Sequence, residues 1–242
     1  MNPKVSFIIP ALNEEKSLPV LINNINKLDK NYSYEIIVAD HNSTDKTGET
    51  AAMMGATVIK TGKDAPKTIS GVRNTGASLA TGEIFIFCDA DTVINDPDKF
   101  LSEVLSVFEN QEIAAGAPRI NIFPDETIVA DKISHFFTNN IIRLSFRTRI
   151  PLCGGQCQIV RGSAFRQIKG YNENIVQTED SDLFSRLRKI GKLHFFSGLV
   201  VYESPRRYRK TGYLVLFIQT VYSHLCRLIF RKNAFKEWKK IE

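Results

Sequence analysis

Apolar and polar positions alternate in a regular order along the first half of the chain. Short, nearly unbroken apolar runs predict β-strands over 5–10, 34–40, 56–60 and 83–91. Between these runs, apolar residues recur at every third or fourth position, which predicts helices over 17–28, 43–55, 67–80 and 98–109. Strands that alternate with helices at this spacing are typical of βαβ units. We therefore expect an α/β fold with a mostly parallel, Rossmann-like sheet flanked by helices.

The second helix of this series carries its own start and stop signals. Ser43 or Thr44 is the expected N-cap, and Gly55 is the expected end of the helix. The first strand begins close to Met1, so the sequence predicts neither a signal peptide nor a transit peptide. Four cysteines without a disulfide pattern favour a reducing, cytoplasmic compartment.

Two aspartates stand where the fourth strand ends, in the stretch FIFCDADTVI (85–94). A central parallel strand is covered on both faces, which explains the apolar run but not Asp89 and Asp91. Ligands of open α/β sheets bind beyond the carboxyl ends of the strands. Asp40 and the segment PALNEE (10–15) follow two other strands. The sequence therefore predicts one polar site at this edge of the sheet.

The spacing of Asp89 and Asp91 suggests a divalent cation. Burying two neighbouring carboxylates is costly because each loses hydration and they repel one another. Mg²⁺ or Mn²⁺ removes this cost, and these ions are typically held by one or two carboxylates plus substrate phosphates. The alternative is a turn in which the two acids serve only as caps.

Beyond Pro118 the regular alternation ends. The segment 120–151 is rich in aromatic and basic residues without clean periodicity, which favours a substrate-binding role because specificity usually resides on loops. His135, Phe136 and Phe137 are expected in the core. Three arginines either meet a phosphate or face water: Arg143, Arg147 and Arg149.

Two cysteines flank the glycine pair of CGGQC (153–157). A structural zinc site needs four ligands, and no further Cys/His cluster lies nearby. Cys153 and Cys157 are therefore expected to be free thiols. The two glycines, Gly154 and Gly155, indicate a close approach of the backbone to another group.

The net charge of +6 belongs to the end of the chain. Residues 203–242 hold ten Lys/Arg and three Asp/Glu, and the rest of the chain holds 22 and 23. A nucleic-acid-binding protein would more often carry this charge on its folded body, so no nucleic acid is expected as a partner.

The segment 213–230 has the length of a membrane span, but it contains Gln219, His224 and Arg227. These fall with Thr220 and Ser223 in an arc of roughly 140°, which predicts an amphipathic helix. Basic residues on both sides and Trp238 favour a helix that lies in a membrane surface, with contact through 213–240. The alternative is a helix packed on the main domain or across a homodimer.

Five motifs, in order, resemble those of the family 2 glycosyltransferases. They are FIIPALNEE (7–15), IIVADHNSTDKT (36–47), GVRNTGASLATGEIFIFCDADT (71–92), CGGQCQIVRGSAFRQIKGYNE (153–173) and TEDSDLFSRLRKIGK (178–192). The resemblance covers the chain from Val5 to about Tyr208. It implies the GT-A fold and the transfer of a sugar from a nucleotide-diphosphate donor.

On this resemblance, the donor is bound by residues of the first four motifs. The loop of Pro10, Ala11, Asn13 and Glu14 cradles the nucleotide, and Asp40 holds the base, usually uracil. The family continues Asp-Gly-Ser after this aspartate, whereas His41 and Asn42 stand here. The remaining donor residues implied by the family are Arg73, Asp89, Gly154 and Gly155.

The resemblance also assigns the metal and the chemistry. Asp91 binds Mg²⁺ or Mn²⁺ directly, and Asp89 binds the ribose or a water on the metal. Asp180 is the general base of an inverting transfer, and Glu179 lies on the acceptor side. Arg206 and Arg207 either bind the diphosphate or begin the basic tail.

These observations predict a GT-A domain over 1–210 and a helical tail over 211–242. Within the domain, 1–118 is named the donor half and 119–210 the acceptor half. The predicted function is metal-dependent transfer of a sugar, with a UDP-sugar favoured, to a glycan or lipid-linked acceptor at the inner face of the cell membrane. A nucleotidyl transferase and a non-catalytic nucleotide-sugar-binding module remain alternatives.

Overall fold

The computed structural model describes residues 4–62, 68–230 and 233–234. Its strands are β1 (Val5–Ala11), β2 (Tyr34–Asp40), β3 (Thr57–Lys60), β4 (Ile84–Cys88), β5 (Thr92–Ile94), β6 (Ile113–Ile122), β7 (Cys157–Arg161) and β8 (Lys192–Glu203). Its helices are α1 (Leu18–Ile25), α2 (Thr47–Met53), α3 (Ile69–Leu79), α4 (Pro97–Phe108), α5 (Val129–Ser145), α6 (Gly162–Gln167), α7 (Glu179–Leu187), α8 (Arg206–Thr211) and α9 (Tyr213–Phe230).

The strands form one sheet in the order β3-β2-β1-β4-β7-β6-β8-β5. The four strands predicted from the donor half pair in parallel, and β1 and β4 are buried along their whole length. Helices cover both faces, so two apolar clusters form the core, one on each side of the sheet. The predicted α/β class is confirmed.

Strand β7 introduces antiparallel pairing at the centre of the sheet. It lies antiparallel to β4 on one side and to β6 on the other, whereas β6 and β8 are parallel to each other. Four of the seven strand pairings are parallel, in agreement with a mostly parallel sheet. Because β7 directly adjoins β4, residues next to it are brought beside Asp89.

The start of the second helix differs from the prediction. Helix α2 begins at Thr47, and neither Ser43 nor Thr44 caps it. Instead, Ser43 Oγ and the amide of Thr44 form hydrogen bonds with Asn13 in the loop after β1. Gly55 ends the helix with φ +88°, as predicted. The expected start of the third helix at Lys67 lies outside the described residues.

The segment 120–151 is more regular than its sequence suggests. It contains the end of β6 and the 17-residue helix α5. His135 is buried, as expected, but Phe136 and Phe137 are 58% and 59% exposed, so the core assignment of these two residues was wrong. Their exposure follows from the helix, which turns only one narrow face, including His135 and Asn139, toward the sheet. Arg143, Arg147 and Arg149 are exposed.

The chain beyond β8 forms α8 and the 18-residue helix α9. Ser223, His224 and Arg227 on the predicted polar face of α9 contact the main domain. Within the described residues, no helix combines the length and the apolar character that a membrane crossing needs. Trp238 and the lysines after 234, on which part of the membrane prediction rested, lie outside the described residues.

Candidate active site

Two loops at the carboxyl edge of the sheet are joined by hydrogen bonds. The loop after β1 follows the buried Pro10 and Ala11, and Asn13 adopts φ 52°. The amide of Asn13 donates to Ser43 Oγ at 2.9 Å, and the amide of Thr44 donates to Asn13 Oδ1 at 2.8 Å. These reciprocal bonds hold the predicted nucleotide loop against the loop after β2.

Asp40 lies at the end of β2 and is 2% exposed. Its Oδ1 accepts a hydrogen bond from the amide of Ser43 at 2.8 Å, so the residue stabilises the turn after β2. A Cβ atom on Gly48 would lie 3.0 Å from Asp40 Oδ2, which explains the glycine there. A contact between Asp40 and a nucleotide base stays a prediction.

Arg73 lies at the centre of the site. This side chain on α3 is 3% exposed and joins three carboxylates. Its Nη2 lies 2.9 Å from Asp89 Oδ1, and its Nη1 lies 2.9 Å from Asp180 Oδ1 and 3.4 Å from Glu179 Oε1. The structure thus brings Asp89 of the donor half together with the acidic pair of the acceptor half, although 107 residues separate Arg73 from Asp180.

The charges of this cluster depend on one another. Burial opposes the charge of Arg73, but the carboxylates of Asp180 and Asp89 raise its pKa well above the ordinary value, so the guanidinium is always charged. Burial and then the charge of Asp180 raise the pKa of Glu179 to about 8. Glu179 therefore holds its proton more tightly than an exposed glutamate does.

Asp180 is held by neutral partners as well as by Arg73. Gln158 Nε2 donates to Asp180 Oδ1 at 2.8 Å, and the Tyr171 hydroxyl donates to Gln158 Oε1. Both Gln158 and Tyr171 are buried, which fixes the orientation of the amide. Arg73 and Gln158 both donate to Oδ1 of Asp180, and these two bonds fix the orientation of the carboxylate. The other oxygen, Oδ2, is bound by neither of these two side chains.

The two glycines before β7 have different roles. The carbonyl of Gly155 accepts from Arg73 Nη2 at 3.1 Å, and a Cβ atom on Gly155 would lie 2.5 Å from that nitrogen. The carbonyl of Gly154 accepts from Gln158 Nε2 at 2.9 Å. A Cβ atom on Gly154 would meet only the flexible side chain of Gln156. The close approach expected at this pair is therefore required at Gly155, and its partner is Arg73.

Asp91 faces the opposite side of the site from Arg73. Arg206 Nη2 lies 3.1 Å from Asp91 Oδ2 and 3.7 Å from Glu14 Oε1, so α8 contributes to the same edge as β1 and β4. Burial and the charge of Asp89 raise the pKa of Asp91. Burial also raises the pKa of Asp89, whereas Arg73 and, more weakly, Arg207 lower it. Arg206 thus pairs with Asp91, and Arg207 lowers the pKa of Asp89.

The aspartate pair suits a hard divalent cation. Two partly exposed carboxylates with unfavourable mutual repulsion form a donor set that Mg²⁺ or Mn²⁺ prefers, with substrate oxygens completing the shell. In the parts of the chain that the structure describes, no three His, Cys, Asp or Glu side chains converge as ligands of one metal ion. The described cysteines, including Cys153 and Cys157, are free thiols.

Glu203 is a buried acid of the site that the sequence analysis missed. It ends β8, accepts from the Tyr208 hydroxyl at 2.8 Å, and accepts from Gln156 Nε2 at 3.1 Å. Burial raises its pKa to about 7, with smaller contributions from Asp91 and Asp89. The signal was present, because the apolar run GLVVYE (198–203) ends in an acid just as the Asp89 strand does.

Helix α9 contacts the residues on both sides of the acidic pair. Arg227 donates to the carbonyl of Thr178 at 2.6 Å and to Asp182 Oδ1 at 2.7 Å. His224 Nε2 lies 3.1 Å from Ser181 Oγ. Thr178 has φ 66°, so the turn before α7 is strained and depends on such contacts. The polar face of α9 therefore supports the start of the helix that carries Glu179 and Asp180.

Known proteins place this arrangement in a family. The family model described as glycosyl transferase family 2 matches residues 6–169. A β-monoglucosyldiacylglycerol synthase from Nostoc is 29% identical over 202 residues, covering 76% of this chain and 41% of that protein. A dolichol-phosphate mannosyltransferase from Pyrococcus furiosus is 32% identical over 119 residues, covering 47% of this chain and 33% of that protein. The chain therefore matches less than half of either relative.

Solved structures share the fold at low sequence identity. A mannosyltransferase from Pyrobaculum calidifontis, in complex with GDP-Man and Mn²⁺, has a TM-score of 0.73 and 18% identity, covering 95% of this chain and 65% of that one. Glucosyl-3-phosphoglycerate synthase from Mycobacterium tuberculosis, with Mn²⁺ and UDP, has a TM-score of 0.62 and 18% identity, covering 93% and 80%. With its motifs, its fold and the family match in agreement, this chain belongs to glycosyl transferase family 2.

Proposed function

We propose that the chain transfers a sugar from a nucleotide-diphosphate sugar to an acceptor hydroxyl, with inversion at the anomeric carbon and with help from a divalent cation. The observation that carries the proposal is the buried cluster around Arg73, which joins Asp89 of the donor half to Asp180 of the acceptor half. The side chain of Arg73 thereby holds both the proposed donor-binding residue, Asp89, and the proposed acceptor-activating residue, Asp180.

The donor side is formed by the carboxyl ends of β1, β2 and β4. The joined loops at Asn13 and Ser43 form a preorganised rim, and Asp40 and Glu14 line it. Related structures hold GDP-Man or UDP. We favour a UDP-sugar because Asp40 stands at the position that holds uracil in the family, while His41, which bonds to Thr61 Oγ1, marks a departure beside it.

Asp91, assisted by Asp89, is the proposed holder of Mg²⁺ or Mn²⁺. When bound, such a cation neutralises negative charge on the diphosphate of the donor. Arg206 and Arg207 add fixed positive charge at the same edge and are proposed to bind the departing diphosphate, a task that suits the planar guanidinium.

Asp180 is the proposed general base. Arg73 and Gln158 hold Oδ1, which leaves Oδ2 to accept the proton of the acceptor hydroxyl. The hydroxyl oxygen then forms a bond to the anomeric carbon as the bond from that carbon to the diphosphate oxygen breaks. The electron pair leaves with the diphosphate, and a single displacement inverts the configuration. Glu179, beside Asp180, has a raised pKa that favours its protonated form, and it is proposed to donate a hydrogen bond to the acceptor.

The acceptor is proposed to be a glycan or a lipid-linked hydroxyl at a membrane. Several relatives act on lipids by name, among them the glucosyldiacylglycerol synthase and the dolichol-phosphate mannosyltransferase. The exposed apolar face of α9 supports a peripheral position on the inner face of the cell membrane.

Two variants test the proposal. Donor turnover is measured with Mg²⁺ or Mn²⁺, and donor binding is measured by calorimetry. Asp91→Ala should abolish metal-dependent donor binding, whereas Asp180→Asn should bind the donor normally and lose roughly 10²–10⁴-fold in turnover. Asp125→Asn, on the exposed surface, is the control. Unchanged turnover in both site variants would refute the proposal.

The products separate the alternatives. Transfer of the sugar releases a nucleoside diphosphate and gives a product of inverted anomeric configuration, which NMR detects. Release of pyrophosphate would instead indicate nucleotidyl transfer. Tight donor binding without any turnover, in the presence of lipid and glycan acceptors, would indicate a binding module.

A further inference from the structure

The outer faces of α5 and α9 leave large apolar side chains in solvent. On α5 the exposed residues are Val129, Ile133, Phe136, Phe137, Ile141 and Leu144. At about 100° per residue they fall in an arc of about 140°. On α9 they include Leu214, Phe217, Ile218, Val221, Leu225 and Ile229, which fall in an arc of about 120°. Contiguous apolar patches of this kind mark interaction sites in soluble proteins.

The two helices lie along the same flank of the molecule. At their starts, Tyr213 of α9 and Arg209 of α8 both bond to Asp131 in the first turn of α5. At their ends, Ile150 and Pro151, just beyond α5, line the same small cavity as His224 and Arg227 of α9. The two apolar faces therefore lie on the same flank, and we name them together the α5–α9 surface.

The exposed charges on α5 and in the segment that follows it have one sign. Lys132 and Arg143 lie along one margin of the apolar arc of α5, and both are exposed. Arg147 and Arg149 follow directly and are exposed as well. Within α5 and α9 the only acid is Asp131, which is 1% exposed and paired with Arg209. An apolar face with a basic margin is complementary to the acyl chains and anionic headgroups of a lipid surface.

A second copy of the chain fits this surface less well. In a two-fold dimer the same patch occurs on both partners, so both partners would bring their basic residues into one interface. Like charges brought together in this way repel, whereas anionic lipid attracts them. The long side chains of Lys132 and Arg143 also suit a lipid surface because their stems can cover apolar area while the charge stays in water.

We infer that the α5–α9 surface docks the protein onto an anionic membrane, with α5 and α9 acting together. The inference deepens the membrane contact proposed for α9 and rests on it, but it does not depend on the transfer reaction. It adds the face of α5, with Phe136 and Phe137, as an equal part of the contact. Because the opposite, polar face of α9 contacts Thr178 and Ser181, docking separates the start of α7 from the lipid surface by one helix, about 10 Å.

Sedimentation with vesicles tests the inference on the full chain. The vesicles contain equal parts of phosphatidylglycerol and phosphatidylcholine, and a second set contains phosphatidylcholine alone. Phe136→Ser with Phe137→Ser should weaken binding to the anionic vesicles by roughly tenfold or more, since each ring loses its burial in lipid. Phe217→Ser with Ile218→Ser on α9 should weaken it by a similar factor. Met53→Ser, which removes an 80% exposed apolar residue on α2, should change nothing.

The basic margin is tested in the same assay. Arg143→Gln, Arg147→Gln and Arg149→Gln together should weaken binding to anionic vesicles by at least tenfold and leave the weak binding to neutral vesicles unchanged. Added salt should weaken the binding of the unmodified chain in the same direction.

Three other results would contradict the inference in whole or in part. If only the α9 variant weakens binding, α9 alone contacts the membrane and α5 has no role. If neither variant weakens it, both the inference and the α9 contact fail, whereas the donor-turnover assay with Asp180→Asn still judges the transfer reaction separately. If light scattering shows a dimer that the α5 variant dissociates, the surface binds a second copy instead. Circular dichroism of each variant confirms that it is folded.

Discussion

The donor half and the acceptor half are each built by a different kind of contact. In the donor half, β1 to β4 pair in parallel with one another, and helices return the chain to the same sheet edge. In the acceptor half, β7 inserts between β4 and β6, and single side chains such as Gln158 and Arg227 connect distant segments. The donor half thus provides a scaffold, whereas the acceptor half completes the site by a small number of buried polar contacts.

The comparison predicts where the molecule is most sensitive to change. A polar contact that is buried between the halves should be costly to break, because no water can replace the lost partner. A similar contact on the surface should be nearly neutral.

The largest effect on stability is expected at Arg73. Arg73→Met leaves Asp89, Glu179 and Asp180 without their buried partner, and we expect the free energy of unfolding to fall by about 3–5 kcal/mol. Urea denaturation measures the change. The control is Lys192→Met, which breaks a 2.7 Å ion pair with Glu112 whose side chains are 62% and 64% exposed, and which should cost at most about 1 kcal/mol. Equal losses in the two variants would contradict the comparison.

The next effect is a dependence of stability on pH at Glu203. Its pKa is raised to about 7 in the folded state from 4.5, so the folded protein binds the proton more tightly. The stabilisation from this proton is complete below pH 4.5 and is lost as the pH rises through about 7. Glu203→Gln should remove up to about 3 kcal/mol of this pH dependence.

Chemical denaturation between pH 5 and pH 8, without added divalent cation, measures the prediction at Glu203. The exposed Glu109→Gln serves as the control and should follow the unmodified chain at every pH. A Glu203→Gln protein with the same pH profile as the unmodified chain would show that Glu203 is charged in the folded state.

A smaller loss is expected at Gly155. Gly155→Ala places a Cβ atom 2.5 Å from Arg73 Nη2 and 3.1 Å from Asp180 Oδ2, and Arg73 has little room to move. We expect a loss of about 1–3 kcal/mol in unfolding free energy together with reduced turnover. Gly62→Ala, where a Cβ atom meets nothing within 4 Å among the described residues, should be neutral in both measurements. If both substitutions are neutral, the contact between Gly155 and Arg73 is not close.

The smallest effect is expected at Arg227, which acts through the start of α7. Arg227→Met removes the bonds to Thr178 and Asp182, and a slightly misplaced Asp180 should lower kcat by about tenfold. KM for the donor should stay unchanged, because the donor half is not affected. Arg227→Lys, which can still reach a carbonyl, should restore part of kcat. A rise in KM with unchanged kcat would assign Arg227 to donor binding instead.

The same contrast explains what could be predicted from the sequence. Strands β1 to β4 were predicted to within a few residues, because buried parallel strands leave unbroken apolar runs, whereas β5 and β6 were not predicted. The aspartates that follow these strands were found for the same local reason, and the role of Asp180 came from the family resemblance. Family motifs then joined these positions into one site, and the family prediction is confirmed.

Features that depend on distant contacts were missed. The role of Arg73 depends on Asp180, 107 residues away, and no local pattern marks that pairing. The prediction that Ser43 or Thr44 caps a helix was wrong because both residues bond to the loop at Asn13. That loop lies some 30 residues earlier, so no local pattern shows the contact. Phe136 and Phe137 were assigned to the core because aromatic residues usually are, whereas α5 turns them to the outside.

The measurement that tests the central claim most directly is a crystal structure with UDP and Mn²⁺. The account predicts that Mn²⁺ binds to the carboxylate of Asp91 and to the diphosphate, that Arg206 leaves Asp91 for the phosphate oxygens, and that Arg73 still holds Asp89 and Asp180. Mn²⁺ bound away from Asp89 and Asp91, or an Asp180 carboxylate that points away from the diphosphate, would contradict it.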